Sequence, residues 1–351
     1  MHRMTRRVAV YGAGSWGTAF SLVLADAGCE VELWGRRAAL VDAINETRAN
    51  PDYLPQTKLP ETVRATTDPA EAAHDADIAV LAVSAQSARA LLEGWVGLWG
   101  SQTLFVSLMK GVELGTRKLM SEVIAETTGA SADRIAVVSG PNLAAEIVAR
   151  QPAASVVACV DESTAAVVQT ACRTPYFRPY TNTDVIGCEL GGAIKNVIAL
   201  AVGVTDGMRL GDNAKAALVT RGLAEATRLG VAMGADPLTF AGLAGMGDLV
   251  ATCSSALSRN HTFGAHLGKG LSVEEARAAT TQTAEGVVSC KAVQSLAERY
   301  DVEMPITRAV VDIIHGGREA VRTVQELMGR APKSEAASLR AAVAEQNSRE
   351  H

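Results

Sequence analysis

The sequence predicts a two-domain protein: an α/β amino-terminal domain with a mostly parallel, doubly wound sheet, followed by an all-α domain. In the first half, short β-rich runs alternate with helical segments, as in a parallel sheet covered by helices. After about Gly187, β-branched runs become rare and segments rich in Ala, Leu and Glu dominate. A chain of 351 residues also exceeds most single cores. We place the first domain at residues 1–188, the helical domain at 189–335 and a charged tail at 336–351.

The strands of the first domain are predicted from apolar, β-branched runs. Several of these runs lack alternation, as expected of strands that are buried on both faces of a parallel sheet. In chain order the predicted strands are Val8–Tyr11, Val31–Trp34, Ile78–Val83, Thr103–Leu108, Ile135–Ser139 and Ser155–Val160.

Helices are predicted from composition and from the glycines and prolines that end them. In the first half they are Thr18–Ala27, Ala38–Asn45, Ala85–Leu92 and Thr116–Thr127. In the second half they are Leu190–Val204, Asn213–Met233, Pro237–Gly242, Val273–Ala279, Val287–Arg299 and Met304–His315. The turn-rich segment Asn50–Pro55 is expected to be a loop near the ligand.

The composition is that of an ordinary globular protein, with 48% hydrophobic residues, 20% charged residues and a net charge of −5. Nucleic acid and anionic membrane surfaces are not expected as partners, because both favour a concentrated positive field. The longest apolar stretch, Leu190–Val204, contains two polar residues and is shorter than the roughly 20 residues that cross a bilayer. No membrane span is therefore predicted.

The amino-terminal residues are basic and lead directly into a strand, without the apolar region of a signal peptide. A cytoplasmic location is therefore expected. The 6 cysteines are scattered without a CxxC pair, which predicts reduced, largely buried thiols, and the 6 histidines show no metal-type spacing. No metal is predicted. A homodimer is one assembly that the sequence allows.

The segment Gly12-Ala-Gly14-Ser-Trp-Gly17 follows an apolar strand and begins a helix, and a second strand returns within about 30 residues. In this setting Gly12 permits a tight turn, Gly14 lets a diphosphate approach the backbone and Gly17 lets the helix pack closely. The helix N-terminus then presents free N–H groups to the phosphates. The pattern predicts a dinucleotide site, the alternative being a glycine-rich turn that binds no nucleotide.

Two arginines, Arg36 and Arg37, follow the second strand. A carboxylate near this position usually accepts hydrogen bonds from the adenosine ribose and repels a 2′-phosphate. An arginine instead contacts a 2′-phosphate through paired hydrogen bonds. NADP is therefore favoured over NAD as the cofactor, although Arg37 is also placed to begin the following helix.

Lys195 and Asn196 are the only polar residues in Leu190–Val204. Apolar neighbours on a helix would lower the pKa of the lysine toward neutrality, so that it could act as a general acid or base. The alternative is a structural lysine paired with a carboxylate across the domain boundary. Asn196 would fix the ammonium or a substrate hydroxyl.

Polar residues also follow two predicted strands, where ligands of parallel sheets bind. Lys110 follows one strand, and the segment Ser139–Asn142 follows another, with small residues suited to an anion or a carboxamide or simply to a turn. Further along the chain, Asp248 lies close in sequence to Ser258–His261. This combination suggests recognition of a small polyol phosphate with Arg259 as phosphate donor, although such residues also decorate solvated surfaces.

Taken in order, these motifs resemble those of the NAD(P)-dependent sn-glycerol-3-phosphate dehydrogenases of the bacterial type. The resemblance runs from roughly Val8 to Arg308. The matching blocks are GAGSWGTA from Gly12, KGVE from Lys110, SGPN from Ser139, GAIKNVI from Gly192, NAKAALVTRG from Asn213, GLAGMGDL from Gly242 and SRN from Ser258.

The resemblance implies a Rossmann domain followed by an all-α domain of the 6-phosphogluconate-dehydrogenase type, with catalysis in the cleft between them. It implies that Lys195 is the catalytic proton acceptor. The residues that would bind the small phosphorylated substrate are Lys110, Gly140, Asn142, Lys195, Asp248, Ser258, Arg259 and Asn260. Those that would contact the dinucleotide, besides the three glycines, are Ser15, Trp16, Arg36, Arg37, Lys110, Ala144, Arg259, Thr283 and Glu285.

The chain departs from the family pattern at a few positions. Ser84 stands where the family usually has a proline, and Asn142-Leu143 stands where it usually has Ser/Thr-Phe. Around Glu285 the usual Val-Val-Glu-Gly is Thr283-Ala284-Glu285-Gly286.

The implied reaction is reversible hydride transfer between the nicotinamide C4 and C2 of glycerol 3-phosphate, giving dihydroxyacetone phosphate and supplying glycerol 3-phosphate for phospholipid synthesis. One alternative is a β-hydroxyacid or opine-type dehydrogenase on the same plan. Another is a non-catalytic regulator that senses NADP(H).

Overall fold

The structure, a computed structural model, describes residues 5–280 and 284–331. The expected tail at 336–351 lies outside the described residues. The chain forms two compact units. The first, the sheet unit, contains the residues up to Met109 and Met120–Val185, and the second, the helical unit, contains Lys110–Leu119 and the residues from Ile186 onward.

The sheet unit contains one eight-stranded sheet. Its strands are β1 (Arg7–Tyr11), β2 (Glu30–Trp34), β3 (Val63–Thr66), β4 (Ile78–Leu81), β5 (Leu104–Ser107), β6 (Ile135–Ser139), β7 (Ala153–Ala158) and β8 (Phe177–Asn182). The order across the sheet is β3-β2-β1-β4-β5-β6-β7-β8. Every pair of neighbouring strands is parallel except β6 with β7, which is antiparallel.

Helices connect the strands of the sheet unit. They are α1 (Ser15–Asp26), α2 (Ala38–Thr47), α3 (Pro69–Ala73), α4 (Ala85–Glu93), α5 (Met120–Thr128), α6 (Ala144–Val148) and α7 (Glu162–Ala171), with a 3₁₀ turn at Ala132–Arg134. The direction of winding reverses between β1 and β4, which are hydrogen-bonded neighbours. The carboxyl ends of the strands at such a reversal form the usual ligand crevice, and Gly12 follows β1 at this point.

Both faces of the sheet are buried, as the apolar runs predicted. Along β1, Val8 and Val10 pack in one apolar cluster, whereas Ala9 and Tyr11 pack in another. Successive side chains of a strand point to opposite faces, so the two clusters lie on opposite sides of the sheet. The predicted doubly wound α/β arrangement is therefore confirmed.

Apart from an isolated antiparallel bridge between Val112 and Leu119, the helical unit is all-α over its described residues. Its helices are α8 (Val185–Gly207), α9 (Asp212–Ala232), α10 (Pro237–Ala241), α11 (Asp248–Ser254), α12 (Arg259–Gly268), α13 (Val273–Ala278), α14 (Glu285–Arg299), α15 (Pro305–Gly316) and α16 (Ala320–Met328). A π-helical turn, Leu243–Gly247, leads into α11. Val112 and Leu119 from the excursion after β5 belong to the apolar core of this unit.

Helix α8 is long and apolar enough to cross a membrane when judged by length and composition alone. However, 78% of its apolar window is buried inside the protein. It is the central helix of the helical unit's core rather than a clear membrane span.

The sequence missed several short elements and extended others. Strand β8 was not predicted because Pro179 interrupts its pattern, and the strand tolerates the proline at the edge of the sheet. Helices α11 and α12 were missed because glycines, serines and polar residues surround them. The helix predicted from Thr116 begins at Met120, since the residues before it belong to the helical unit.

Candidate active site

The glycine-rich turn after β1 has the geometry of a phosphate-binding turn. A Cβ atom on Gly17 would lie 1.9 Å from the Gly12 carbonyl oxygen, and one on Gly12, where φ is +128°, would lie 2.5 Å from the Ala82 oxygen. A Cβ atom on Gly14 would meet nothing within 4 Å. Gly12 and Gly17 are therefore required by packing, whereas the backbone at Gly14 faces open space that suits a diphosphate.

The N-terminus of α1 fits the same ligand. Gly14 is its N-cap and provides no side-chain acceptor for the N–H groups of the first turn. These N–H groups and the positive end of the helix dipole are therefore available to an anion. Ser15 begins the helix. The Trp16 indole Nε1 is buried and has no hydrogen-bond partner among the described residues. A buried donor without a partner is costly, so a bound group at this position would stabilise it.

The arginines after β2 are exposed, as expected of residues that meet a cofactor or solvent. Arg37 is the N-cap residue of α2, in line with the alternative that it begins this helix. Its guanidinium also forms an ion pair with Asp52, with Nη2 2.5 Å from Oδ2. Arg36 has no side-chain hydrogen bond or ion pair within the described part of the chain.

The segment after β6 makes a tight turn in the sheet unit. Gly140 has a φ of +139°, and a Cβ atom there would lie 3.1 Å from Ser155 Cα. The Asn142 amide nitrogen donates to Ser155 Oγ at 3.1 Å, and its Oδ1 is buried without a partner among the described residues. Ala144 begins α6. Asn142 thus ties this loop to β7 and keeps one unsatisfied acceptor.

In the helical unit, one buried carboxylate binds two lysines that are distant in sequence. Asp248 Oδ1 lies 2.5 Å from Lys195 Nζ, and its Oδ2 lies 2.5 Å from Lys110 Nζ. The Asp248 side chain is 1% exposed, and the lysine side chains are 11% and 13% exposed. Lys195 Nζ also donates to Thr252 Oγ1 at 2.9 Å. Two of the three ammonium donors of Lys195 are thereby engaged, by Asp248 and by Thr252.

Close backbone packing positions this cluster. Lys195 lies in the middle of α8, and a Cβ atom on Gly191 would lie 2.4 Å from the Ala244 carbonyl oxygen. The π-helical turn therefore packs directly on α8, and Asp248 follows it as the first residue of α11. Thr252 follows one turn later on α11 and donates to the Asp248 carbonyl oxygen at 2.7 Å. Gly191 thus lets the turn that precedes Asp248 approach the helix that carries Lys195.

Burial has the largest effect on the pKa of Lys195. Removal from water lowers the pKa of Lys195 to about 8, the Asp248 carboxylate opposes this change, and the Lys110 ammonium reinforces it. A lysine with this pKa exchanges a proton near neutral pH, as the sequence predicted from its apolar neighbours. Its carboxylate partner belongs to the same unit, not to the other domain as the structural alternative supposed.

A chain of buried amides lies along the same helix. Asn260 Nδ2 donates to Asn196 Oδ1 at 2.9 Å, and Asn260 Oδ1 accepts from the Gly286 N–H at 2.9 Å. A Cβ atom on Gly286 would lie 2.7 Å from the Asn196 carbonyl oxygen, so only glycine allows this approach. Asn196 is therefore hydrogen-bonded to Asn260 rather than to the Lys195 ammonium.

The remaining predicted residues surround the N-terminus of α12. Ser258 is the N-cap, and its Oγ accepts from the His261 N–H at 3.3 Å. Arg259 is exposed at the first position of the helix. Glu285 begins α14; burial raises its pKa, and Arg259 opposes this most strongly. Thr283 lies outside the described residues.

The structure brings together one part of the predicted site in each unit. Lys110, Lys195 and Asp248 meet in the helical unit, where Asn260 is joined to Asn196. Gly140, Asn142 and Ala144 lie in the sheet unit, as do the glycine-rich turn and the arginines. Sequence reasoning missed Thr252, although its position four residues after Asp248 on a helix was a usable signal. It also missed Asp52, which carries no local signal.

The described residues 5–280 and 284–331 contain no group of three or more His, Cys, Asp or Glu side chains that could hold a metal ion. A mostly parallel sheet with a glycine-rich turn before a helix, and a helical unit with a buried lysine of lowered pKa, together define an NAD(P)-dependent dehydrogenase.

Comparisons with known proteins identify the family. The family model for the NAD-dependent glycerol-3-phosphate dehydrogenase N-terminus matches residues 7–165, and the one for the C-terminus of the same family matches residues 184–325. The chain belongs to the NAD-dependent glycerol-3-phosphate dehydrogenase family. The glycerol-3-phosphate dehydrogenase interpretation of the sequence is thereby confirmed over the hydroxyacid dehydrogenase and regulator alternatives, with NAD or NADP as cofactor.

Individual relatives agree with this assignment. A Streptomyces coelicolor protein named glycerol-3-phosphate dehydrogenase (NAD(P)+) is 68% identical over 329 residues, covering 94% of this chain and 98% of its own. A solved glycerol-3-phosphate dehydrogenase of Coxiella burnetii is 38% identical with a TM-score of 0.89, covering 93% of this chain and 99% of that one. One from Saccharomyces cerevisiae is 26% identical with a TM-score of 0.79, covering 93% and 100%.

Proposed function

We propose that the chain interconverts dihydroxyacetone phosphate and sn-glycerol 3-phosphate with Lys195 as the proton donor and acceptor. The observation that carries this assignment is the buried cluster in which Asp248 binds both Lys195 and Lys110. When bound, the nicotinamide supplies or accepts the hydride. The protein must supply a proton to the substrate oxygen during reduction and remove it during oxidation.

Lys195 has the properties that this step requires. Its pKa of about 8 allows both protonation states near neutral pH, and its third donor position is not used by Asp248 or Thr252. In the reducing direction its ammonium gives a proton to the C2 oxygen, and in the oxidising direction its neutral amine takes that proton back. Asp248 and Thr252 hold the nitrogen in one position in both directions.

Lys110 binds the same carboxylate from the other side, through Asp248 Oδ2. Charge that develops on the C2 oxygen during hydride transfer would be stabilised by a preorganised ammonium, which contributes several kcal/mol in water-excluded sites. Asn196 Nδ2, oriented through Asn260, would bind a second substrate oxygen. These groups fix the reacting carbon relative to Lys195.

The phosphate of the substrate would bind at the N-terminus of α12. This helix begins at Arg259, and Ser258 caps it, so an N-terminal dipole, a guanidinium and a hydroxyl coincide. Asn260 is buried and engaged with Gly286, which makes it a residue that shapes this site from within. In the sheet unit, Gly140 and Asn142 remain proposed substrate contacts.

The dinucleotide would be held by Gly12–Gly17, Arg36 and Arg37, with Ala144, Lys110, Arg259, Thr283 and Glu285 as further contacts. The open space at Gly14 and the unpartnered Trp16 nitrogen support this fit. The two arginines support a preference for NADP. We further propose a division into domains 1–188 and 189–335, a cytoplasmic location, a homodimer and a role in supplying glycerol 3-phosphate for phospholipid synthesis.

A spectrophotometric assay tests the function directly. Oxidation of NADPH and of NADH would be followed with dihydroxyacetone phosphate, with dihydroxyacetone and with pyruvate. We expect turnover with dihydroxyacetone phosphate only, because the other two lack the phosphate that Arg259 binds, and faster turnover with NADPH. Faster turnover with pyruvate would support a hydroxyacid dehydrogenase, and tight NADPH binding without any turnover would support a regulator.

A further inference from the structure

The loop after α2 closes on itself between Asn50 and Leu54. The Leu54 N–H donates to the Asn50 carbonyl oxygen at 2.9 Å, and the two residues form an isolated antiparallel bridge. The segment is therefore a defined turn rather than an extended connection. It contains both Asn50 and Asp52.

Asn50 fastens this loop to the glycine-rich turn. The side chain is 0% exposed. Its Nδ2 donates to the Ala13 carbonyl oxygen at 3.0 Å and to Thr18 Oγ1 at 2.9 Å. Ala13 lies between the first two glycines of the turn, and Thr18 lies in the first turn of α1. The loop therefore has a fixed position relative to the phosphate-binding backbone.

Asp52, two residues after this anchor, meets Arg37. Asp52 Oδ2 lies 2.5 Å from Arg37 Nη2, and the side chains are 44% and 50% exposed. An exposed ion pair of this kind is weak and readily exchanged for another partner of the guanidinium. The chain lacks an acid directly after β2, yet Asp52 brings a carboxylate to the arginine that follows this strand.

We propose that Asp52 is a specificity residue that competes with the 2′-phosphate of NADP(H) for Arg37. The proposal rests on the assignment of Arg37 to the adenosine end of the dinucleotide. With NAD(H), Arg37 keeps its ion pair and no phosphate meets the carboxylate. With NADP(H), Arg37 must turn from Asp52 to the phosphate, and the carboxylate repels that phosphate.

The pair therefore moderates cofactor preference. Arg37 favours NADP(H), and Asp52 offsets part of that advantage. Asn50 is the positioning residue that makes this competition possible, because it holds the backbone of the loop while the two exposed side chains are free to exchange partners. A chain with Arg37 but without Asp52 would discriminate more strongly for NADP(H).

Three variants test the proposal: Asp52→Asn, Arg37→Gln and the double variant. The measured quantity is the ratio of kcat/KM for NADPH to that for NADH, with the ratio of the two dissociation constants from quenching of tryptophan fluorescence. Asp52→Asn should raise both ratios about two- to fivefold, the usual range for an exposed charge pair. Arg37→Gln should lower both ratios, and in the Arg37→Gln background Asp52→Asn should change the ratios less.

Asp42→Asn is the matched control, because it removes an exposed carboxylate from α2. It should leave both ratios unchanged.

The outcomes separate this proposal from the proposed function. An unchanged or lowered preference for NADPH in Asp52→Asn would overturn the competition, as would an equal rise in Asp42→Asn or in the Arg37→Gln background. If the wild-type chain did not reduce dihydroxyacetone phosphate, the proposed function would fail, and the dissociation constants would still decide whether Asp52 sets the preference.

Discussion

The glycine-rich turn of the sheet unit and the lysine–aspartate cluster of the helical unit are built in opposite ways. The turn is a contiguous segment in which Gly12 and Gly17 leave no room for a side chain and the backbone at Gly14 faces open space. The cluster joins Lys110, Lys195 and Asp248, which are distant in sequence, through ion pairs between their side chains. In the function proposed above, cofactor binding would therefore depend on backbone shape in one unit, and proton transfer would depend on the protonation of a side chain in the other.

The contrast between the two units is tested most strongly by a substitution of Lys195. Lys195→Met should lower kcat for dihydroxyacetone phosphate reduction by about 10²- to 10⁴-fold, the usual contribution of a general acid or base. The dissociation constant for NADPH should change little, because the glycine-rich turn is untouched. Steady-state kinetics and a fluorescence titration would measure both.

Lys291→Met is the matched control, since Lys291 is exposed on α14 and outside the cluster. It should retain wild-type turnover. Near-wild-type kcat in Lys195→Met would remove the proton-transfer role from this residue.

The glycines should respond to substitution in two different ways. Gly17→Ala places a Cβ atom 1.9 Å from the Gly12 oxygen, so we expect a loss of about 1–3 kcal/mol in unfolding free energy, as for other overpacked sites. Gly14→Ala meets nothing within 4 Å and should leave the unfolding free energy nearly unchanged. It should nevertheless weaken binding of NADH and NADPH together, because the methyl group fills the space proposed for the diphosphate.

Denaturant unfolding and cofactor titration of the two variants would distinguish these effects. Equal destabilisation in both would show that the space beside Gly14 belongs to the fold and not to a ligand.

The difference between the units also explains what could be predicted from sequence. The glycine-rich turn Gly12–Gly17 was predicted because its signal is local: the glycines, the strand before them and the helix after them are contiguous in sequence. Lys195 was found because its apolar neighbours lie on the same helix. Asp248 was predicted as a substrate-binding residue, but its ion pair with Lys195 was not, since the approach of Gly191 to Ala244 that brings Asp248 to α8 leaves no local signal.

The same reasoning applies to the weaker signals. Asp52 lies 15 residues after Arg37, and nothing local in sequence links them. Strand β3 and helix α3 were missed because they span only 4 and 5 residues in a turn-rich region. Packing between distant segments decides such short elements, and that information is not contained in any one segment.

The two directions of the reaction should depend on pH with opposite signs. Because the pKa of Lys195 is lowered to about 8, its neutral amine, needed for oxidation, forms as pH rises through that value. Oxidation of glycerol 3-phosphate should therefore rise by about tenfold per pH unit below the pKa and level off above it. Reduction of dihydroxyacetone phosphate needs the ammonium and should fall as pH rises past the same point.

Profiles of kcat in both directions, measured on the Asp248→Asn variant as well, would test the assignment. Loss of the carboxylate removes the interaction that raises the pKa of Lys195, so the inflection should move to lower pH. An inflection that stays in place in Asp248→Asn would mean that another group titrates.

The smallest expected effect concerns the loop after β4, at Ser84, where the resemblance described in the sequence analysis leads us to expect a proline. Its φ of −69° and ψ of 143° are those of a proline before a helix, so the loop keeps the same backbone without it. Ser84→Pro should therefore raise the unfolding free energy by about 0.4–1 kcal/mol by restricting the unfolded chain. Ser87→Pro should instead destabilise the sheet unit, because the Ser87 N–H donates to the Ser84 carbonyl oxygen at 3.0 Å. Thermal or denaturant unfolding of both variants decides the point, and destabilisation by Ser84→Pro would show that the serine supports a loop shape that proline cannot adopt.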